Sequence, residues 1–543
     1  MAFIKAFLCI NRFPSGCPLS RLLSDEALGF LKCPPPFAGR KMGLSRTVLA
    51  EHAAVACEQP LASMVGYDVL RRGGNAIDAA TAASFALAVT FHSAGGLGGD
   101  FFALFYEAKT GKVHCLNSSG WAPSGLTIDL ILEKEGGVVP RHGPLSCVVP
   151  GQVAGVWEMH RRFGTIDFSR LLQPSVALAS EGFPVGEDFS QVILGTFESL
   201  SRDAREVFAP GGTLPTPGTR IRQEALGKAM AEVAEGGPRS FYSGWPGQAV
   251  AATLEAAGVR CEPSDFSDFK PEWVTPLTLD YRGTTVYEVP PNSMGATSLL
   301  ILKQLVDAGP APAGALSRDR VERTMKAALF AYARRDEMLG DPRFSIVDMD
   351  AFMSTKGAPG LAESEVRPGD TTAFSVTDSE GNMVSAIQSL FQPFGSRVFV
   401  PECGIMLNSR ASAFRTSGPN RVEPRKRPLH TLSSLILERN GRPYLAIGAS
   451  GADYRPLQHA LFVTNSVDYS MPAEENVAHP RFLWGGKKIL LVEEGYDLPR
   501  GGLYDIQRLP MPGQTGKCQA VEVGGSYKKA VCDIRGDGVP AGF

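Results

Sequence analysis

The sequence predicts an α+β fold, because helical and strand patterns occupy different parts of the chain. Before Thr371 most segments carry the apolar spacing of helices, whereas alternating strands joined by short turns follow it. Helix candidates are residues 153–163, 168–180, 296–306 and 321–338. Strand candidates are residues 101–106, 277–279, 285–289, 372–376, 383–387, 433–438 and 444–447. A chain of 543 residues suits either roughly two to four domains or one large layered unit.

The N-terminal segment differs in composition from the rest. Residues 1–24 carry three basic residues and no acidic residue, and three consecutive prolines follow at residues 34–36. The apolar part of this segment is short for a secretory signal. We therefore expect residues 1–45 to be an appended extension or linker, with a targeting segment and a true start at Met42 as the alternatives.

Charge and composition exclude several classes of protein. Lys and Arg number 54 and Asp and Glu 56, so the net charge of −2 gives no bias towards nucleic acid or acidic membranes. The 10 cysteines include no CxxC pair and the 8 histidines no closely spaced pair, so we expect no metal site. We also expect no organic cofactor. No apolar run has the length of a membrane span. These features favour a cytoplasmic enzyme with a small-molecule substrate.

Two glycine-rich segments interrupt the predicted elements. An Ala-rich helix capped by Asn75 leads into residues 92–100, HSAGGLGGD, where the glycines indicate tight turns or close backbone approach. A phosphate loop is the alternative, but no lysine follows these glycines. The second segment, GASGA at residues 448–452, lies between a strand and a helix, so its N–H groups could hold an anionic oxygen. An ordinary strand-to-helix loop is the alternative, and a GxSxG nucleophile elbow fails because Ala452 replaces the second glycine.

Thr371 follows a Pro-Gly-Asp turn and opens a predicted strand. If the bond before it were cut, Thr371 would carry a hydroxyl nucleophile and an amine base on one residue. The pKa of an α-amino group is about 7.7–8.0, close to what a general base needs at neutral pH. The preceding residues 358–368 are polar and turn-rich, as expected before a cleavage point. The alternative is an ordinary turn and strand, since threonine is common in strands.

An ordered set of short motifs is spread over the chain from about residue 50 to residue 543. These segments are residues 69–80, 95–100, 149–151, 290–293, 369–372, 426–428, 448–451 and 537–538. Together they resemble the γ-glutamyltransferase family of N-terminal-nucleophile hydrolases. The resemblance implies an αββα four-layer sandwich made as one precursor. The precursor would cut itself between Asp370 and Thr371 into a large subunit, residues 46–370, and a small subunit, residues 371–543, which stay associated.

The resemblance also implies roles for individual residues. Thr371 would be the nucleophile and its freed amine the base, and Ser389 falls where the family places a second hydroxyl that bonds the nucleophile. Gly451 and Ala452 fall at the oxyanion-hole position, where the family usually has two glycines. Because a backbone N–H survives the change to alanine, the hole can persist if the φ angle there is allowed to alanine.

The chain departs from the family pattern where the family holds its substrate. The arginine that grips the glutamyl α-carboxylate corresponds to about Ser119, and the aspartate that grips the α-amine corresponds to Ala413. The family's paired serines become His430 and Thr431, and an asparagine becomes Phe391. Each lost charged hydrogen bond is worth roughly 1.5–3 kcal/mol, so a zwitterionic substrate should bind less well.

Arg410 stands where many transferases have glutamine, which resembles the branch containing oxamate amidohydrolase and related acylases. We hypothesise that Arg410, with His430 and Thr431, binds a carboxylate on the acyl group. The alternative is that Arg410 pairs with a structural acid such as Glu402.

The sequence thus predicts an autoprocessing threonine amidohydrolase that forms an acyl-enzyme and passes the acyl group to water or an amine. The substrate is expected to be a γ-glutamyl or related carboxylate-bearing amide, with an oxamate amidohydrolase-like or cephalosporin-acylase-like hydrolase of a non-glutamyl amide as the alternative. Two further hypotheses are an uncleaved binding protein and a serine hydrolase that uses Ser450.

Overall fold

The computed structural model describes residues 46–357, 366, 369–496, 498 and 504–543. The predicted extension, residues 1–45, and nearly all of the turn-rich segment, residues 358–368, lie outside the described residues.

The strands alternate with helices in the first half of the chain and dominate the second half. In chain order the strands are β1 (Arg46–Ala50), β2 (Ala54–Cys57), β3 (Asp100–Glu107), β4 (Lys112–Ser118), β5 (Phe183–Pro184), β6 (Arg220–Ile221), β7 (Glu272–Val274), β8 (Leu277–Tyr281), β9 (Thr284–Glu288), β10 (Asp370–Thr377), β11 (Met383–Phe391), β12 (Phe399–Val400), β13 (Ile405–Met406), β14 (Leu435–Arg439), β15 (Arg442–Ala449), β16 (Phe482–Trp484), β17 (Ile489–Glu493), β18 (Asp505–Leu509), β19 (Cys518–Val523), β20 (Lys528–Cys532) and β21 (Ala541–Gly542). The helices are α1 (Pro60–Arg71), α2 (Ala76–Thr90), α3 (Ile128–Glu135), α4 (Gln152–Phe163), α5 (Phe168–Glu181), α6 (Glu187–Thr196), α7 (Arg202–Phe208), α8 (Glu224–Tyr242), α9 (Trp245–Ala256), α10 (Pro263–Ser267), α11 (Gly295–Asp307), α12 (Arg318–Met338), α13 (Met349–Phe352), α14 (Arg455–Val467) and α15 (Ala473–Ala478). Every helix and strand candidate from the sequence is confirmed to within a few residues at its ends.

Two seven-stranded antiparallel sheets form the centre of the molecule. The first has the strand order β21-β2-β10-β11-β3-β4-β7, and the second has the order β1-β20-β19-β15-β14-β9-β8. The inner strands β10 and β11 of the first sheet pack on β15 and β19 of the second. Apolar side chains such as Phe102, Ile387, Ile436 and Val521 fill the space between the two sheets.

Helices cover the outer face of each sheet. Helices α2 and α4 pack on the first sheet, with α1 and α5 against α2, while α11 packs on the second sheet together with α12 and α14. The resulting order is helix, sheet, sheet, helix. The predicted α+β class and its αββα sandwich are therefore confirmed.

Helix α2 and the glycine segment after it determine how closely the backbone approaches β11. All 15 residues of α2 are buried, and the small alanine side chains let α1, α5 and the sheet pack closely around it. Asn75 caps its start as predicted, and Asp78 completes a capping box with it. Beyond α2, a Cβ atom on Gly99 would lie 2.6 Å from the carbonyl oxygen of Ser389. The predicted close backbone approach is confirmed, and it lies beside the strand that carries Ser389.

Candidate active site

Thr371 lies at an irregularity in the pairing of β10 with β11. Asp370 pairs with Phe391 and Thr372 pairs with Gln388, so one residue of β10 faces two residues of β11. This two-to-one pairing is a β-bulge, an irregularity that changes the direction of side chains and is common next to active sites. The bulge brings the side chain of Ser389 to Thr371, and both residues are fully buried.

The Ser389 hydroxyl connects Thr371 to the peptide bond that precedes it. Thr371 Oγ1 donates to Ser389 Oγ at 3.1 Å, and Ser389 Oγ donates to the carbonyl oxygen of Asp370 at 2.9 Å. Ser389 Oγ also accepts the Phe391 N–H at 2.7 Å. One donated and two accepted hydrogen bonds use the full capacity of a hydroxyl, which fixes its orientation. A hydroxyl therefore lies next to a carbonyl that a second hydroxyl polarises.

The GASGA loop lies against the turn that leads into β10. A Cβ atom on Gly369 would lie 3.0 Å from the Cβ atom of Ala452. Gly451 has a φ of 129°, and Ala452 begins a short 3₁₀ helix, Ala452–Tyr454, that runs into α14. The first N–H groups of a helix have no intrahelical acceptor. Among the described residues, neither amide donates to a protein acceptor, so both are available to an anionic oxygen.

Ala452 keeps the backbone conformation that glycine would adopt. Its φ is 47°, in the left-handed region, where an L-residue costs roughly 1–2 kcal/mol relative to the right-handed region. The N–H group that the sequence predicted to survive the change from glycine is thus retained at the expense of backbone strain.

Ser450 has a structural role in this loop. Its hydroxyl accepts the N–H of Lys517 at 2.8 Å, and its own N–H donates to the Lys517 carbonyl at 2.8 Å. The loop is therefore tied to the segment before β19. A hydroxyl engaged with the backbone gives no support to the serine-hydrolase hypothesis.

Arg410, His430 and Thr431 meet around a carboxylate that the sequence analysis did not assign a role, Asp100. Arg410 Nε lies 3.3 Å from Asp100 Oδ2, His430 Nε2 lies 2.9 Å from the same oxygen, and Arg410 Nη1 donates to Thr431 Oγ1 at 2.9 Å. All four side chains are buried. The structural acid beside Arg410 is therefore Asp100 and not Glu402, which the sequence analysis suggested. Asp100 could have been noticed as a lone acid directly after the glycine turn.

Both nitrogens of His430 are engaged within the protein. Nδ1 accepts the Leu432 N–H at 3.1 Å, so Nε2 carries the hydrogen and donates to Asp100. Burial, with the nearby Arg410 charge, lowers the pKa of His430 to about 3. The ring is thus neutral at pH 7, and a direct contact with a substrate carboxylate does not fit its geometry.

Arg410 and Arg455 approach Thr431 from two sides. Arg455 Nη1 donates to the Thr431 carbonyl, and its Nε donates to the Ala449 carbonyl at 2.8 Å. Burial lowers the pKa of Arg455 to about 9 and that of Arg410 to about 10. Among the described residues, the Nη2 atom of each arginine has no hydrogen-bond partner, and Asp100 is the one carboxylate in ion-pair contact with either guanidinium. The local charge therefore favours an anion.

A cavity of about 100 Å³ adjoins this cluster. Its lining includes Phe391, Ala413, Thr431, Asp336 and Asp453. The Arg410 guanidinium lies over the Phe391 ring at 4.3 Å from the centroid, so a wall of the cavity packs on the arginine. Phe391 follows Ser389 by two residues and Asp453 follows Ala452, which places the cavity next to the Thr371 geometry.

Within the described ranges, no helix is long and apolar enough to cross a bilayer. The same ranges contain no group of three or more His, Cys, Asp or Glu side chains arranged for a metal ion.

Comparisons with known proteins agree with the fold. A family model described as gamma-glutamyltranspeptidase matches residues 62–543. The glutathione hydrolase-like YwrD proenzyme of Bacillus subtilis is 31% identical over 533 residues, which cover 92% of this chain and 100% of that protein. The oxamate amidohydrolase proenzyme of Klebsiella pneumoniae is 30% identical over 482 residues, 83% of this chain and 89% of that protein. The crystal structure of the cephalosporin acylase from Bacillus halodurans has a TM-score of 0.84 and 28% identity, covering 94% of this chain and 98% of that chain.

The αββα sandwich and these matches define an N-terminal-nucleophile hydrolase. The chain belongs to the gamma-glutamyltranspeptidase family. It is therefore an enzyme of the hydrolase or transferase type that acts on amides, as the sequence predicted, and it is similar to glutathione hydrolases as well as to an oxamate amidohydrolase and an acylase.

Proposed function

We propose that Thr371 is the nucleophile of an autoprocessing amidohydrolase and that the bond between Asp370 and Thr371 is the one that is cut. The observation that carries this proposal is the hydrogen-bond chain from Thr371 Oγ1 through Ser389 to the Asp370 carbonyl. The names of relatives described as proenzymes support processing of a precursor. Cleavage would divide the chain into a large subunit, residues 46–370, and a small subunit, residues 371–543.

In the cleavage step, Thr371 Oγ1 attacks the carbonyl carbon of Asp370 and a C–O bond forms. The C–N bond breaks, the nitrogen takes up a proton, and water then hydrolyses the resulting ester. The products are an α-carboxylate on Asp370 and a Thr371 that carries a free amine and a free hydroxyl. Ser389 contributes by holding the attacking hydroxyl and by polarising the carbonyl.

In turnover, the same hydroxyl attacks a substrate amide and the freed amine of Thr371 accepts its proton. The amides of Gly451 and Ala452 stabilise the oxyanion of the tetrahedral intermediate, a contribution of about 2.7–4 kcal/mol for one donor. The amine product leaves, and water or an amine acceptor takes the acyl group from Thr371.

The acyl group that we propose for this pocket bears a carboxylate. The proposed anchor is the Nη2 atom of Arg410, which has no hydrogen-bond partner among the described residues and packs behind the cavity residue Phe391. Thr431 orients the guanidinium, and Arg455 adds positive charge, as do Arg335 and Arg415 in the cavity lining. Ala413 in the cavity wall offers no anion to an α-ammonium group. These features favour a non-amino acyl group such as the oxamate or glutaryl class.

A γ-glutamyl amide is the second candidate. Asp336 and Asp453 line the cavity and could receive the α-ammonium group of a glutamyl substrate. Both carboxylates lie close to Arg335, so this site would have to share them with that arginine.

The experiment is a comparison of two isosteric variants on a substrate panel. Thr371→Val should leave one full-length chain and no turnover, whereas Thr372→Val should cleave and turn over normally, since the Thr372 hydroxyl has no hydrogen-bond partner among the described residues. Processed protein should hydrolyse oxamate or glutaryl amides faster than γ-glutamyl anilides or glutathione. Activity retained by Thr371→Val would overturn the proposed nucleophile, and a preference for γ-glutamyl amides would select the second candidate.

A further inference from the structure

Glu58 and Lys517 form an ion pair that joins the two central sheets. Glu58 directly follows β2 of the first sheet, in which β2 pairs with β10 as far as Phe374. Lys517 directly precedes β19 of the second sheet. Their charged atoms, Glu58 Oε1 and Lys517 Nζ, lie 3.6 Å apart. Cys57 pairs with Phe374, and the Ala373 N–H acts on the Glu58 carboxylate, so the pair lies at the end of β10 at which Thr371 is found.

Glu58 is unusual because a buried acid has so few partners. Its side chain is fully buried, and among the described residues neither carboxylate oxygen accepts a hydrogen bond of regular geometry, although the Ala373 N–H acts on the carboxylate and lowers its pKa. Lys517 is its nearest counter-ion, and Lys517 also contacts Asp188 Oδ2 at 2.9 Å. Burial raises the pKa of Glu58, and the Lys517 charge opposes that rise. Burying an acid that is held mainly by one shared lysine lowers the stability of the fold, which suggests that the pair is kept for a function.

The Thr371 nitrogen lies within the field of this pair. Thr371 N–H donates to Asp370 Oδ1 at 3.0 Å. Burial raises the pKa of Asp370, and Lys517 is the strongest opposing influence on that carboxyl. The nitrogen that becomes an amine on cleavage is therefore one hydrogen bond from a group that senses Lys517.

The charged groups that face this region come from several elements. They are Arg46, Glu58, Asp188, Asp370, Arg455, Lys517 and Asp537. The backbone N–H of Asp188 donates to the Asp537 carboxylate, and the backbone N–H of Asp537 donates to the Asp188 carboxylate, both at 2.8 Å. The Asp188 carboxylate is therefore shared between Lys517 and Asp537.

We propose that Lys517 is a positioning residue that occupies Glu58 and thereby holds the liberated amine of Thr371 in its neutral, basic form. This inference rests on the proposed nucleophile. A buried carboxylate beside a new amine would bind it as an ammonium ion, which cannot act as a base. Lys517 satisfies that carboxylate and places a positive charge nearby, and both effects disfavour a second positive charge on the amine.

The two partners of the pair should act in opposite directions. Loss of the Lys517 charge stabilises the ammonium form of Thr371, so the acidic limb of the kcat/KM profile moves to higher pH. Loss of the Glu58 charge destabilises the ammonium form, so the limb moves to lower pH. At separations of several ångströms inside a protein, shifts on the order of one pH unit are expected.

The test compares processed Lys517→Met and Glu58→Gln proteins with wild type from pH 5 to 9. Lys517→Met keeps both backbone hydrogen bonds to Ser450, and Lys517→Arg should return the limb towards its wild-type position. Lys529→Met is the matched control, because Lys529 also pairs with two carboxylates, Glu474 at 2.6 Å and Glu522 at 3.1 Å, and its limb should not move.

Opposite shifts in the two variants support the proposal. The proposal is overturned if the acidic limb of the kcat/KM profile does not move in either variant or moves in the same direction in both. It is also overturned if Lys529→Met shifts the limb as far as Lys517→Met does. Should Lys517→Met fail to fold, Glu58→Gln alone decides, because a limb that stays in place or rises contradicts the proposal. Failure of the nucleophile itself is distinguishable, since wild type would then carry no Thr371 N-terminus.

Discussion

The Ser389 hydroxyl donates a hydrogen bond of 2.9 Å to the carbonyl oxygen of Asp370, the atom on which negative charge would develop during cleavage. The same hydroxyl holds Thr371 Oγ1 at 3.1 Å. One side chain on the bulged strand β11 is therefore bonded to both groups that would react in the proposed cleavage.

Replacing Ser389 with alanine should slow self-cleavage by roughly 10²-fold, because the carbonyl loses a donor that strengthens as charge develops. The measurement is the half-life of the full-length chain on a gel after synthesis. Ser385→Ala is the matched control, since Ser385 lies four residues earlier on β11 and donates to the Ile447 carbonyl at 3.1 Å. Equal half-lives in the two variants would contradict a role for Ser389 in cleavage.

Ala452→Gly should raise the free energy of unfolding by roughly 0.5–1 kcal/mol. Glycine removes about 1–2 kcal/mol of left-handed strain and loses about 0.4–1 kcal/mol through the entropy of the unfolded chain. Turnover should be unchanged, because the N–H group remains. Thermal unfolding measures the effect, and Ala460→Gly, inside the regular helix α14, should have the opposite sign. A destabilised Ala452→Gly would show that the alanine is not strained.

Arg410→Lys should weaken use of a carboxylate-bearing amide while the protein stays folded. Lysine keeps a positive charge near Asp100 but loses the second N–H arm of the guanidinium. The loss of a charged hydrogen bond, roughly 1.5–3 kcal/mol, corresponds to about a 10- to 150-fold fall in kcat/KM. The control is a neutral amide of the same shape, whose kcat/KM should change little. An equal fall for both substrates would assign Arg410 a purely structural role.

His92 should make the protein more sensitive to acid. The ring is buried between Gln223 and the Met406 N–H, and burial lowers its pKa from 6.5 to about 4. Between pH 6.5 and 4 the histidine binds a proton in the unfolded state but not in the folded state. The free energy of unfolding therefore falls by about 1.4 kcal/mol for each pH unit as the pH falls from 6.5 towards 4.

The measurement for this prediction is a difference between two proteins. Burial raises the pKa of the acids Glu58 and Asp370, so their contribution opposes the histidine effect in either protein. Relative to His92→Gln, wild type should lose stability below pH 6.5 and show a constant offset above it. Parallel stability curves across this range would contradict the account.

Sequence patterns predicted the local parts of this molecule well. Strand β10, helix α14 and the glycine segments depend on alternation, helical spacing and turn residues that lie close together in the chain. Ser389 was assigned by resemblance, and the structure brings it to Thr371 through a bulge that periodicity does not reveal.

The long-range parts could not be predicted in the same way. The alternative partner predicted for Arg410 is Glu402, eight residues away, whereas the acid that it contacts is Asp100, at the start of β3 and far earlier in the chain. No pattern in one sequence reports that Glu58 and Lys517 meet across two sheets, because each lies alone among ordinary strand residues. Charge pairing of this kind depends on the packing of sheets, which only the folded structure provides.

The most direct test of the central claim is the intact mass and N-terminal sequence of freshly purified, active protein. The account predicts two fragments that copurify, of which the second begins at Thr371 with a free amine and ends at Phe543. Full activity from a chain whose Asp370–Thr371 bond is unbroken would contradict it.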